Sequence, residues 1–125
     1  MDNKEIDLQE LLDRKYSVVV IESPYGRGYA AKITALAGCT SFGMSPEEVM
    51  AGIEESKQNW IRDAVADGFG IPAPAPKDVS EEDRINTELL SNPMKEMIAW
   101  LNEQGITKIV PYRTEAANGI RIYFD

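Results

Sequence analysis

An α+β fold, a small antiparallel sheet with one long helix packed on it, is predicted by three observations. Two runs rich in β-branched and aromatic residues, Tyr16–Ile21 and Tyr29–Ala35, flank a Gly/Pro turn. Ser45-Pro46-Glu47-Glu48 opens an amphipathic segment that ends at Asp67-Gly68. Two further apolar runs, Ile106–Tyr112 and Ile120–Phe124, follow a second helical pattern. At 125 residues the chain fits one domain with added elements, and 43% apolar content argues for a packed core over disorder.

Residues 1–15 form a polar N-terminal extension with Ile6, Leu8, Leu11 and Leu12 as its apolar content. Asp7 and Glu10 stand at capping-box spacing, which predicts a short helix. The first strand, Tyr16–Ile21, reads as largely buried. In Glu22–Gly28, Pro24 fixes φ, and Gly26 and Gly28 permit positive φ, as a hairpin loop requires. On the returning strand Tyr29, Ala31, Ile33 and Ala35 share one face, with Ala30, Lys32 and Thr34 on the other. Gly38 bends the chain into a third strand, Cys39–Phe42, that Gly43 ends.

Ser45 is the expected N-cap of the long helix, Pro46 its first residue and Glu48 the capping-box partner. Val49, Ile53, Trp60, Ile61, Ala64 and Val65 recur at helical spacing, with Glu54, Glu55, Lys57, Arg62 and Asp63 off that stripe. Gly68 or Gly70 stops the helix. Ile71–Pro76 alternates proline with small residues, which leaves an extended edge segment or a semi-rigid linker. Ser80–Asp83 has capping-box spacing before Ile85, Leu89 and Leu90, and predicts a short helix. A second helix starts with Asn92 as N-cap and Pro93 behind it, carries Met94, Met97, Ile98 and Leu101 inward, and ends at Gly105. Asn118-Gly119 is the expected turn between the two last strands. The organisation is thus an extension (1–15), a central unit (16–78), and a C-terminal helix-helix-hairpin segment (79–125). The pattern leaves open whether the last segment continues the main sheet.

The 21 acidic and 13 basic residues give a net charge of −8, which disfavours non-specific nucleic-acid binding and suits a basic partner or plain solubility. The absence of histidine excludes His-based triads and His-containing zinc sites. Cys39 has no second cysteine to pair with, which fits a reducing cytoplasm, and it reads as a small buried hydrophobe. No apolar run approaches a membrane span, and no signal-peptide pattern opens the chain.

Three features in order resemble the HicB-like family, over Tyr16 to Pro76. They are the two-strand opening with Tyr29 starting its second strand, Leu36-Ala37-Gly38-Cys39 followed by Gly43-Met44-Ser45-Pro46-Glu47-Glu48, and the helix with Trp60 and Gly68 ahead of Ile71-Pro72-Ala73-Pro74. Ala37 stands where the family usually has Pro, and Met44 where Asp is common. The resemblance implies a shrunken ribonuclease-H-like unit acting as an antitoxin. Such a protein binds directly to a small basic RNA-cleaving toxin of the HicA-like kind, in the bacterial cytoplasm, and commonly forms homodimers or larger assemblies. Many members add a DNA-binding domain. The acidic C-terminal segment here does not support one.

The expected activity is therefore non-enzymatic binding, with no cofactor and no metal. Glu47 and Glu48 have a helix-capping role already, and the first strand offers no carboxylate before Glu22 for a nuclease-type metal site. Candidate partner contacts are Glu22, Tyr25 and Arg27 on the hairpin loop and Glu54, Glu55 and Asp63 on the solvent side of the long helix. They are chosen on exposure and charge alone. The alternative is an orphan scaffold that homo-oligomerises or binds another protein, with Ile120–Phe124 serving either as an exposed edge for assembly or as an ordinary inner strand.

Overall fold

The computed structural model describes residues 7–74 and 79–124. Ile6, Pro76 and Asp125 lie outside them. The fold is α+β, with a five-stranded antiparallel sheet in the order β3-β2-β1-β5-β4. The strands are β1 (Val18–Glu22), β2 (Tyr29–Lys32), β3 (Thr40–Gly43), β4 (Ile109–Arg113) and β5 (Asn118–Ile122). Three helices accompany it: α1 (Leu8–Leu12), α2 (Pro46–Ala66) and α3 (Asn92–Glu103).

The helix starts follow the sequence signals. Asp7 accepts a hydrogen bond from the Glu10 amide at the head of α1, and Ser45 accepts from the Glu48 amide (3.1 Å) at the head of α2. The Glu48 carboxylate reaches one residue further back than a capping box requires, and accepts from the Met44 N–H at 2.5 Å. At α3 the cap is Ser91, not Asn92: the Ser91 hydroxyl accepts from the Met94 amide, and Pro93 is the second helical residue.

α2 lies on β2 and β3, and α3 sits beside α2 over β1. Both cover one face of the sheet. Val49, Ile53, Ile61 and Ala64 of α2, and Met94, Met97 and Leu101 of α3, bury against Val18, Val20, Ala31, Ile120 and Ile122. Each such apolar side chain contributes roughly 1.5–3 kcal/mol relative to an exposed position. α2 approaches β3 closely because Gly43 has no side chain: a Cβ there would stand 2.4 Å from the Val49 nitrogen. The Ser41 hydroxyl fixes the contact by donating to the Val49 carbonyl at 2.9 Å.

Several expectations need correction. Lys57 is on the buried stripe of α2, only 7% exposed. Its stem packs inward and its Nζ donates to the Arg14 carbonyl, as a long amphipathic side chain allows. β2 ends at Lys32; the next residues turn, so Ala35 is exposed and Leu36 is buried in its place. The predicted helix after Ser80 is instead two 3-10 turns, Glu81–Asp83 and Thr87–Leu89. Between them Arg84 bridges Tyr112, and the Ile85 N–H donates to the Pro111 carbonyl at 3.1 Å. Pairing with β4 takes up the backbone groups that a helix would have used.

Asn118-Gly119 is not the turn but the start of β5, opposite Arg113 and Tyr112. The loop is Thr114–Ala117, where the Thr114 hydroxyl accepts from the Ala116 and Ala117 amides. Gly119 is needed because a Cβ there would stand 2.6 Å from the Val20 carbonyl oxygen. The C-terminal hairpin continues the main sheet, since β5 pairs with β1 from Val18–Ile122 to Ile21–Gly119. β5 is therefore an inner strand and not an assembly edge. The Arg84–Ile85 segment shields β4, which leaves β3 as the short open edge among the described residues. The described part of the proline stretch is neither sheet edge nor free linker: the Tyr16 hydroxyl and Arg14 Nη1 both donate to the Pro72 carbonyl.

Candidate partner-binding surfaces

The solvent side of α2 is acidic. Glu47, Glu54, Glu55 and Asp63 are all exposed there, with Arg62 as the one exposed basic residue of the helix. Glu54 is partly engaged: it pairs with Lys57 Nζ at 3.2 Å and accepts from the Gln58 amide at 3.0 Å. Glu55 and Asp63 make no ion pair and no side-chain hydrogen bond among the described residues, so their charge faces water uncompensated. They lie about 12 Å apart along the helix axis, at 1.5 Å per residue.

The β1–β2 loop is closed by the Ser23 N–H donating to the Gly28 carbonyl at 2.9 Å, and Gly26 and Gly28 both take positive φ. This closure pushes Tyr25 outward to 88% exposure, with Arg27 also exposed. Glu22 is half-buried, opposite Tyr29. The loop stands at the N-terminal end of α2, because a Cβ on Gly28 would meet Gly43, whose own neighbour is Val49. Glu54, Glu55 and Asp63 lie two turns and more further along. The six candidate contacts therefore form two separate groups, and Tyr25 lines a groove on the other side of the sheet.

That groove was not anticipated. It occupies about 800 Å³ on the sheet face that carries no helix. Val19, Ile21 and Ala30 form its floor, with Phe42 at one side and Tyr112 at the other. Val19 is the register partner of both Lys32 and Arg121, so the two cations stand on this face either side of it. Val19 between them is only 4% exposed. The Arg121 guanidinium lies 5.7 Å from the Tyr112 ring centroid, and its Nη1 donates to the Ser17 hydroxyl at 3.3 Å. Its Nε is sealed from solvent and has no acceptor. Asp83, Arg113 and Glu115 complete the rim. The alternation of Ala30 and Lys32 marks an outward face on β2, but only the strand order puts Arg121 on the same face, on the far side of β1.

Cys39 is buried, with its Sγ donating to the Ser56 hydroxyl at 3.7 Å. Burial pushes the thiol pKa up, which disfavours the reactive thiolate. Among the described residues no three of Cys, Asp and Glu gather as metal ligands, and no helix is long and apolar enough to cross a membrane. Set against protein-family models, curated proteins and solved structures, the chain matches none of them.

Proposed function

We propose that this chain is a HicB-like antitoxin, which neutralises a small basic RNA-cleaving toxin by covering it. The observation that carries the reading is the exposed, uncompensated acidic side of α2, with Glu55 and Asp63 at its centre. A basic nuclease must present cations to bind RNA, and the same cations are drawn to such a surface. The sheet-and-helix framework suits this role, because it holds α2 rigidly by its buried stripe and leaves the acidic side free. Occlusion needs no catalytic group on this chain.

The test is co-expression with the small open reading frame adjoining the gene, followed by native mass determination and toxicity rescue. The expected result is a heteromeric complex with a small basic protein. Joint reversal of Glu55 and Asp63 to Lys then lowers the association rate by about tenfold or more at low salt. A homo-oligomer with no co-purifying partner would instead support an orphan scaffold. Unchanged binding by the double reversal would remove the α2 surface from the mechanism.

A further inference from the structure

We propose that the helix-free face of the sheet is a binding site for a small organic anion, a single carboxylate carried on a flat apolar body. The register sets the charge. Lys32 and Arg121 are both opposite Val19, on its two neighbouring strands, so their Cα atoms are about 10 Å apart across an apolar floor. Neither cation has a carboxylate partner among the described residues.

Arg121 is the stronger half of the site. A guanidinium grips a carboxylate through two parallel N–H groups on one edge. Nη1 is engaged by Ser17, and the Nε–Nη2 edge is the one whose Nε has no acceptor. The side chain has one hydrogen bond and one ring contact, and it lines the groove, so binding requires this edge to turn toward the incoming carboxylate. A buried donor without an acceptor is unfavourable, and an incoming carboxylate relieves it.

The groove's volume of about 800 Å³ lies in the range of small-molecule clefts, and its make-up is theirs: an apolar floor with a few convergent polar groups. Phe42, half exposed on β3, offers a face for a flat ring. Other occupants fit less well. The rim is mixed, Arg113 standing with Asp83 and Glu115, and on a chain of net charge −8 it lacks the run of cations that a polyanion such as single-stranded RNA requires. The two unpaired cations repel a basic protein. The site is thus distinct from the acidic side of α2 and does not depend on the antitoxin reading.

The experiment is an amide NMR titration of the full chain with 2-naphthoate, with neutral 2-naphthamide as the charge control and a short oligouridylate as the polyanion. Saturable shifts are expected at Val19, Lys32 and Arg121, with the amide binding at least tenfold more weakly. Arg121→Gln and Lys32→Gln should each weaken naphthoate at least fivefold. If Arg121→Gln fails to fold, Lys32→Gln at its exposed position decides alone. Equal affinity for naphthoate and naphthamide, no saturation by about 10 mM, or unchanged affinity in Lys32→Gln would overturn the proposal. So would oligouridylate binding these amides more tightly than naphthoate, which would make the face a nucleic-acid platform.

Discussion

Lys57 Nζ donates to the main-chain carbonyl of Arg14 at 3.0 Å, across 43 residues of sequence. This single bond ties the middle of α2 to the segment that leads into β1. The same ammonium pairs with Glu54 at 3.2 Å, on the exposed side of the helix. The lysine therefore spans from the core to the acidic surface, its stem buried and its charge shared between a carbonyl and a carboxylate.

Replacing Lys57 by Met keeps the buried stem and removes both polar contacts. The Arg14 carbonyl then loses its charged donor, which costs about 1–3 kcal/mol. Urea denaturation should show a lower midpoint with an unchanged slope. A midpoint equal to that of the parent chain would mean that water replaces the ammonium without loss.

Gly43→Ala and Gly70→Ala should separate close packing from backbone freedom. A Cβ at Gly43 would press on the backbone of Val49 and Glu48, the first turn of α2, which cannot yield as a side-chain tip can. Overpacking of this kind costs about 1–3 kcal/mol, occasionally more. Nothing lies within 4 Å of a Cβ at Gly70, and its φ is not positive. There the loss of unfolded-state freedom should be neutral or stabilise by up to about 1 kcal/mol. Thermal melts of the two variants should move apart, and a harmless Gly43→Ala would show that α2 can lift from β3.

The contrast between these glycines bears on what the sequence could reveal. Local chemistry was legible: Asp7, Ser45 and Pro46 mark helix starts that form as the capping pattern demands. The alternation of Tyr29, Ala31 and Ile33 gives the buried face of the hairpin correctly. Strand neighbours were not legible, because a period of two tells which face a residue occupies and not which strand lies beside it. Hence β5 read as a possible edge, although it sits between β1 and β4. Asn118-Gly119 misled for a related reason: Gly119 serves a close approach to Val20, a long-range demand with no local mark. The candidate site divides the same way. Exposure of Tyr25, Glu55 and Asp63 followed from loop chemistry and helix periodicity. The pairing of Lys32 with Arg121 about Val19 needed the register of three strands.

Tyr16→Phe tests the attachment of the proline stretch. The Tyr16 ring is buried, and its hydroxyl donates to the Pro72 carbonyl beside Arg14. Phenylalanine preserves the ring packing and deletes only that donor, a loss of about 0.5–1.5 kcal/mol. The Ala73 amide follows the Pro72 carbonyl directly, so its chemical shift and that of Ile71 should move while those of β1 stay in place. Unchanged shifts at both residues would assign the attachment to Arg14 alone.

Alkaline pH should weaken the fold through two raised pKa values. Burial pushes up the Cys39 thiol, and burial, followed by the nearby Glu96 and Glu22 charges, pushes up the Tyr29 phenol. In each case the folded state holds its proton more tightly than the unfolded chain. The stabilisation is complete below the unfolded pKa and is lost as pH rises through the folded value. For Cys39 the decline starts near the unfolded thiol value of about 8.5, and for Tyr29 near about 10. Urea midpoints between neutral and strongly alkaline pH should fall in that order. Cys39→Ala should flatten the first part of the decline and leave the second, because alanine carries no proton to lose. A variant whose midpoint still falls from about pH 8.5 would assign the first loss to another group. Slow native alkylation of Cys39, made fast by urea, would independently confirm that its thiol is closed to solvent.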